Sequence, residues 1–393
     1  MTYKISFLLN CFIFLVYMKY LIYELFSGVG LCNQIFSLET AIYLASIMKR
    51  KLILIIKYPL CHCGKTNLGY GHLLNFFTDD FKNYLPNGID VFYKSIPNDI
   101  QTIISNPENY YNVGNFSGLV FVDEELDTPE NENDIQEFCH FRKKHVINYN
   151  NITRTYIYIN KSNASRCFYN FYTTNNNYKL MYNICTSLKF KPILHEIASK
   201  LYRKLPRQEN DLFIFFHLRF GDYFKKAEFL ERNNDIIIKN FKQFVENHIT
   251  DSTKPTIYLL IDNKNNEKFN DSIKTYDVKY IDSITQNIFE NYLSENNMVL
   301  HDFDNVTNYD VINAIIEIIM ASKADEFVGY SSSTFSHYIQ YLRFVENKSF
   351  FNYINIKNCR LEQVEQSSIE WKRLGFIGGH PVSWQYFFKP LKI

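Results

Sequence analysis

The sequence predicts an α/β protein made of two Rossmann-like domains that face one another across a cleft. Three observations carry this. A strand, a Gly-rich turn, a helix and a second strand follow one another within residues 21–56. A short apolar run at 213–216 delivers a His, an Arg and an Asp to a tight turn. A helix, a strand and another helix occupy 311–343, with hydroxyl side chains crowded at the mouth of the second helix. A chain of 393 residues also exceeds the comfortable size of one core, and alternating strands and helices build doubly wound sheets.

The elements follow in chain order. Ile5 to Met18 form an apolar run broken only by Asn10, with Lys4 before it and Lys19 after. Its length suits a signal-peptide core, whereas the lack of a small-residue cleavage site leans towards an uncleaved membrane anchor. Residues 1–19 are assigned to one of these two. Leu21 to Phe26 make the first strand, and Gly28 and Gly30 supply a turn that lets the backbone approach a ligand closely. From Gln34 to Met48 the apolar positions Ile35, Leu38, Ile42 and Ala45 repeat at helical spacing. Lys51 to Ile56 form the next strand. The stretch 106–180 is rich in Asn, Glu and Tyr, lacks periodicity and is read as loops on the acceptor side. These elements define a first domain over 20–206.

A second domain over 207–370 opens with the strand Phe213–Phe216, which is too short and aromatic for a helix. A helix at Asp235–His248, a strand at Thr256–Ile261, a helix at 311–323 and a strand at Glu326–Gly329 continue the alternation. Ser331, Ser332, Ser333, Thr334 and Ser336 then precede or open a helix that runs to Arg343. Residues 371–393 hold both Trp residues and form a tail that packs back on the body.

The chemistry gathers at three places. His217, Arg219 and Asp222 fall at or just past the end of the 213–216 strand, where open α/β sheets bind their ligands. A rigid guanidinium fork there suits a phosphate or diphosphate, and an ordinary surface Arg and Asp is the competing reading. A Gly-rich loop that opens a helix favours anions, but Asn33 stands where G-x-G-x-x-G needs its third Gly. One hydroxyl suffices to cap a helix; five favour a phosphate site.

Four short motifs occur in order: GLCNQ at 30–34, HLRFGD at 217–222, ADEFVG at 324–329 and STFS at 333–336. In this the chain resembles the fucosyltransferase superfamily, most closely its GDP-fucose protein O-fucosyltransferase-like branch. The resemblance spans roughly residues 21–345 and implies a GT-B-like fold and a glycosyltransferase that uses GDP-fucose, inverting and metal-independent, with no cofactor. It implies that Arg219 binds the β-phosphate and stabilises the departing GDP, that His217 lies against the guanosine and that Asp325 accepts from the guanine edge. Ser333, Thr334, Phe335 and Ser336 would hold the diphosphate, and Gly30 and Asn33 would line the cleft from the opposite domain. The α1,2 and α1,6 branches carry two consecutive arginines where this chain has Arg219 and Phe220, so no particular linkage is implied. Asp222 and Glu39 are the nearest base candidates; Asp222 also serves as a structural tie after Gly221, and Glu39 as a solvent-facing helix residue. The acceptor is a hydroxyl of a protein or a glycan.

Composition narrows the rest. The net charge of +1, from 42 basic and 41 acidic residues with no basic tract, gives no footprint for nucleic acid. The 35 Phe, 30 Tyr and abundant Asn fit AT-rich coding bias, which discounts isolated aromatics. N-x-S/T sequons at Asn115, Asn151, Asn160, Asn163, Asn270, Asn305 and Asn347 favour the secretory pathway over the cytoplasm. Cys61, His62 and Cys63 lack a second ligand pair at zinc spacing. Asp302 and Asp304 imitate the D-x-D of metal-dependent transferases that use other nucleotide sugars, but sit where turn and cap residues are common. A catalytically inactive relative that binds a glycan or protein partner is the remaining alternative, because fold does not guarantee chemistry.

Overall fold

The computed structural model describes residues 18–27, 30–57, 73–113, 118–122, 144–162, 175–206, 212–218, 227–248, 255–261, 267–281, 290–292, 294–295, 309–330, 333–346, 348, 350–353 and 361–364. The first sheet is built from β1 (Tyr20–Glu24), β2 (Lys51–Ile56), β3 (Ile89–Tyr93), β4 (Tyr110–Asn112) and β7 (Tyr156–Ile159) in the order β3-β2-β1-β7-β4. All its pairings are parallel, with Leu21 opposite both Leu52 and Ile157. Helices α1 (Leu31–Ile47) and α2 (Asn98–Ser105) belong to this half, and β5 (Gly118–Val122) pairs with β6 (Lys144–Asn148) in a separate parallel ribbon.

Parallel sheets need cover on both faces, which explains the unbroken apolar run LILII of β2. Leu21, Tyr23, Leu52, Leu54 and Ile56 point to the face that α1 covers and join the main core. Ile22, Ile53 and Ile55 point the other way, onto Ile100, Ile103 and Ile104 of α2. The alternation is the period-2 geometry of a strand.

After α3 (Asn175–Ser187) and α4 (Pro192–Lys204), the second sheet comprises β8 (Phe213–Leu218), β9 (Thr256–Ile261), β10 (Val278–Tyr280), β11 (Glu326–Tyr330), β12 (Phe350–Tyr353) and β13 (Leu361–Val364). Its order is β10-β9-β8-β11-β12-β13, parallel except for β13. Helices α5 (Ala227–His248), α6 (Glu267–Ile273), α7 (Tyr309–Lys323) and α8 (Thr334–Val345) accompany it. Ile214, Phe216 and Leu218 of β8 pack with Ile237, Phe241, Phe244 and Val245 of α5. Phe213 and Phe215 point to the opposite face and share the main core with residues of α1, α3, α4, α7 and α8. One apolar layer therefore joins the two halves. The architecture is α/β and GT-B-like.

Several expectations are adjusted. The stretch 106–180, read as loops, contributes β4 and the inner strand β7, because Tyr156, Ile157 and Tyr158 pair on both sides. Helix α5 begins at Ala227 rather than Asp235. Helix α1 begins at Leu31 rather than Gln34, since extended Gly30 (φ −57°, ψ 155°) already starts it, and this places Asn33 inside the first turn. Helix α4, which precedes residue 206, packs against the second half: Lys323 Nζ donates to Ser199 Oγ at 2.7 Å and the Tyr202 and Phe213 rings lie 4.8 Å apart. The N-terminal run (Met18 excepted), the tail, Cys61–His62–Cys63 and Asp302 with Asp304 lie outside the described residues.

Buried arginines fix both halves. Arg50, 2% exposed, donates to the carbonyls of Tyr20, Ile152, Arg154 and Thr155 at the entry edge of β1 and β7. Arg343, fully buried, donates to those of Ala321, Ser322, Ala324 and Asp325 where α7 ends. Helix carbonyls left open at a C-terminus are satisfied in this way.

Candidate functional site

Strand order reverses at β1 in one sheet, between β2 and β7, and at β8 in the other, between β9 and β11. Connections leave such a strand and its neighbour towards opposite faces, so a crevice opens beyond their carboxyl ends. The Gly-rich turn follows β1, and the Arg219–Asp222 segment follows β8. Arg219, Asp222 and Gly28 lie outside the described residues.

His217 stands near the carboxyl end of β8 and is 7% exposed. Its Nδ1 lies 2.6 Å from Ser336 Oγ, and its ring lies 5.0 Å from that of Phe335. Thr334, Phe335 and Ser336 form the first turn of α8. The first intrahelical bond there runs from His337 N–H to the Ser333 carbonyl, so the preceding amides have no helical acceptor. Ser333 is fully buried, and its Oγ has no hydrogen-bond partner. The approach of α8 to β11 depends on Gly329: a Cβ there would lie 2.5 Å from Gln340 Nε2 and 3.0 Å from Ser336 Cβ.

The opposite wall is the start of α1, where Gly30 offers no side-chain cap. Asn33 is half-buried with its Oδ1 unpartnered. Ser37 Oγ accepts from Phe26 N–H at 3.1 Å, fastening the turn after β1 to the helix. The Phe36 and Tyr338 rings meet edge-on at 5.7 Å. Phe36 is one turn beyond Asn33, and Tyr338 one turn beyond Thr334. Two uncapped, electropositive helix starts are thus gathered near one contact, an arrangement suited to an anion.

The structure brings His217 against Phe335 and Ser336, in the turn that Ser333 and Thr334 open, while Gly30 and Asn33 lie at the start of the helix whose Phe36 meets Tyr338. It does not bring Asp325 there. Asp325 Oδ2 accepts from the backbone N–H of Phe213 at 2.8 Å, at the opening of β8, and Phe213 lies four residues before His217. At ~3.3 Å per residue the two ends stand roughly 13 Å apart. Asp325 ties β8 to the start of β11 and faces away from the crevice.

Two carboxylates acquire roles the sequence left open. Glu39 does not face solvent: it is 4% exposed on the α8-facing side of α1, and burial pushes its carboxyl up to about 8, against a partial opposing effect of its hydrogen bond to Cys185. A group so enclosed cannot reach an acceptor hydroxyl. Glu24, unremarked in the sequence, ends β1 at 5% exposure, with Lys57 Nζ at 3.0 Å and the Tyr158 hydroxyl donating at 2.8 Å. Burial, and then the Glu24 carboxylate, push the Tyr158 phenol up. A single acid closing the apolar run YLIYE was the available signal.

The family model for GDP-fucose protein O-fucosyltransferase matches residues 20–346. The chain belongs to this O-fucosyltransferase family. The match runs from the first residue of β1 to just past α8. This O-fucosyltransferase family member is thereby a glycosyltransferase of the GDP-fucose-using, fucosyltransferase class. Among solved structures it is similar to the fucosyltransferase NodZ from Bradyrhizobium, at 11% identity over 88% of this chain and 99% of that one, with a TM-score of 0.46. It is also similar to POFUT1 in complex with GDP, at 12% identity over 83% and 95%, with a TM-score of 0.42. No curated protein matches it. Among the described residues no group of three or more His, Cys, Asp or Glu is placed to hold a metal ion, and no helix is long and apolar enough to cross a membrane.

Proposed function

We propose that the protein transfers fucose from GDP-fucose to a hydroxyl of a protein or glycan acceptor, with inversion and without a metal ion, in the secretory pathway. Family membership supports the donor. The observation that carries the binding mode is Ser333, whose fully buried hydroxyl lacks a partner beside the open amides of α8. An unmade buried hydrogen bond costs about 1–3 kcal/mol, and a diphosphate oxygen recovers it.

The acceptor oxygen attacks C1 of fucose from the side opposite the diphosphate. As that bond forms, the bond from C1 to the β-phosphate oxygen breaks, and its electron pair leaves on GDP. The acceptor proton passes to a base or to solvent. Donors already in place for the charge on the leaving group are usually the largest catalytic contribution. Arg219, the Ser333 and Thr334 hydroxyls and the first amides of α8 fill that role without a metal, while His217, backed by Phe335 and Ser336, lies against the guanosine. Gly30 and Asn33 approach the sugar from the other half.

The test is thermal stabilisation of the full chain by GDP, UDP, CMP and ADP with EDTA present. A nucleotide at a hundred times its dissociation constant stabilises the fold by about 2.7 kcal/mol. GDP alone should do so, and Ser333→Ala should reduce the effect. A preference for UDP, or a requirement for added metal, would sink the proposal. GDP-fucose and candidate acceptors then assay transfer.

A further inference from the structure

Cys32, Phe36 and Glu39 recur at helical spacing on α1 and share one face. That face meets α8 and α3. The Phe36 ring lies against Tyr338, the Tyr338 ring lies 5.9 Å from Tyr341, and Glu39 hydrogen-bonds Cys185 of α3. Cys185, Tyr338 and Tyr341 are each at most 4% exposed. Glu39 Oε1 and the Tyr338 hydroxyl have no hydrogen-bond partner. The titratable groups around the carboxyl are Cys32 on α1, Cys185 and Tyr182 on α3, and Tyr338 and Tyr341 on α8. Burial pushes the Cys185, Tyr338 and Tyr341 groups up, which keeps these three uncharged near pH 7.

An ionised carboxylate in this place would be an uncompensated buried charge in the layer that joins the two halves. It would also sit one turn beyond Phe36, within the contact that gathers the two helix starts. We propose that Glu39 is a positioning residue for the donor site: as an uncharged acid it lets α1 and α8 pack, and its ionisation separates the two helix N-termini and weakens nucleotide binding. This rests on the reading of those N-termini as the donor site.

The experiment is calorimetric GDP binding to the full chain from pH 6 to 9.5, in wild type, Glu39→Gln and Cys185→Ser. It is run beside amide exchange of α1 and α8, corrected for the intrinsic pH dependence of exchange. Wild-type affinity should fall by up to about tenfold per pH unit once Glu39 ionises. Exchange in both helices should accelerate over the same range, and Glu39→Gln should show neither change. Cys185→Ser gives Glu39 a stronger donor and should move the break to lower pH, a readout that does not need the Gln variant to fold. A merely structural Glu39 would lower the melting temperature and leave the affinity profiles parallel. Parallel profiles, or an unmoved break in Cys185→Ser, overturn the proposal. Absence of GDP binding at every pH overturns the donor reading itself and takes this proposal with it.

Discussion

His217 Nδ1 and Ser336 Oγ lie 2.6 Å apart and join the end of β8 to the first turn of α8 across 119 residues of sequence. Both side chains are buried, so water cannot replace the bond. The contact orients the imidazole and seats the helix start against the strand mouth. Removing either partner of a buried hydrogen bond costs about 1–3 kcal/mol. Ser336→Ala and His217→Ala should each lower the stability of the fold by that amount and also weaken GDP binding in calorimetry. A double-mutant cycle read by calorimetry should give a coupling of about 0.5–3 kcal/mol. Additive losses would mean that the two residues act separately.

Gly329 leaves no free room for a side chain where α8 crosses β11. The nearest atoms to an added Cβ are Gln340 Nε2, Phe327 Cε1 at 2.9 Å and Ser336 Cβ. Gly329→Ala must displace the Gln340 amide and the Phe327 ring, and it crowds Ser336, the partner of His217. Overpacking of this kind costs about 1–3 kcal/mol. Thermal unfolding should show the destabilisation, and GDP affinity should drop alongside it. Unchanged affinity with a lowered melting temperature would uncouple the helix seat from the site.

Asp325 offers a sharper test, because motif and geometry give it different work. The resemblance assigns it the guanine edge, while its carboxylate holds the Phe213 amide at the far end of β8. Asp325→Ala should cost roughly 1.5–3 kcal/mol of stability, the range for a hydrogen bond to a charged group. It should leave the preference for GDP over ADP unchanged in a nucleotide-competition assay. Loss of base preference at unchanged stability would restore the motif's assignment.

Legibility tracked how local each signal was. Strands β2 and β9 were read to the residue, because Lys51–Ile56 and Thr256–Ile261 are apolar β-branched runs with sharp polar borders. The start of α5 is not legible, since the Asn pair before Asp235 reads as a break in the helix, whereas the backbone is helical from Ala227. β7 was missed because a four-residue strand in an Asn-rich stretch gains its stability from neighbours on both sides, which no local pattern encodes. At the site, motif order placed His217 and the 333–336 element at one crevice. Asp325 and Glu39 could not be read, because each takes its role from a partner distant in sequence: Phe213 for one, Cys185 for the other.

Glu39 also makes the stability of the fold depend on pH, and the sign follows from which state holds the proton. Unfolded, the carboxyl titrates near its ordinary 4.5; folded, burial holds its proton until about pH 8. Between these values the folded state binds more protons than the unfolded state, so stability falls as pH rises. The favourable contribution is complete below about 4.5, declines through the interval and is gone above about 8. At one pKa unit per 1.36 kcal/mol, the full span is on the order of 5 kcal/mol. Glu39→Gln keeps the shape of the acid without its titration. Denaturant unfolding at pH 5, 6.5 and 8.5 should show a declining stability in wild type, a shallower decline in the variant, and a variant that is the more stable of the two at pH 8.5. Matching slopes would mean that Glu39 is already ionised in the folded protein at neutral pH.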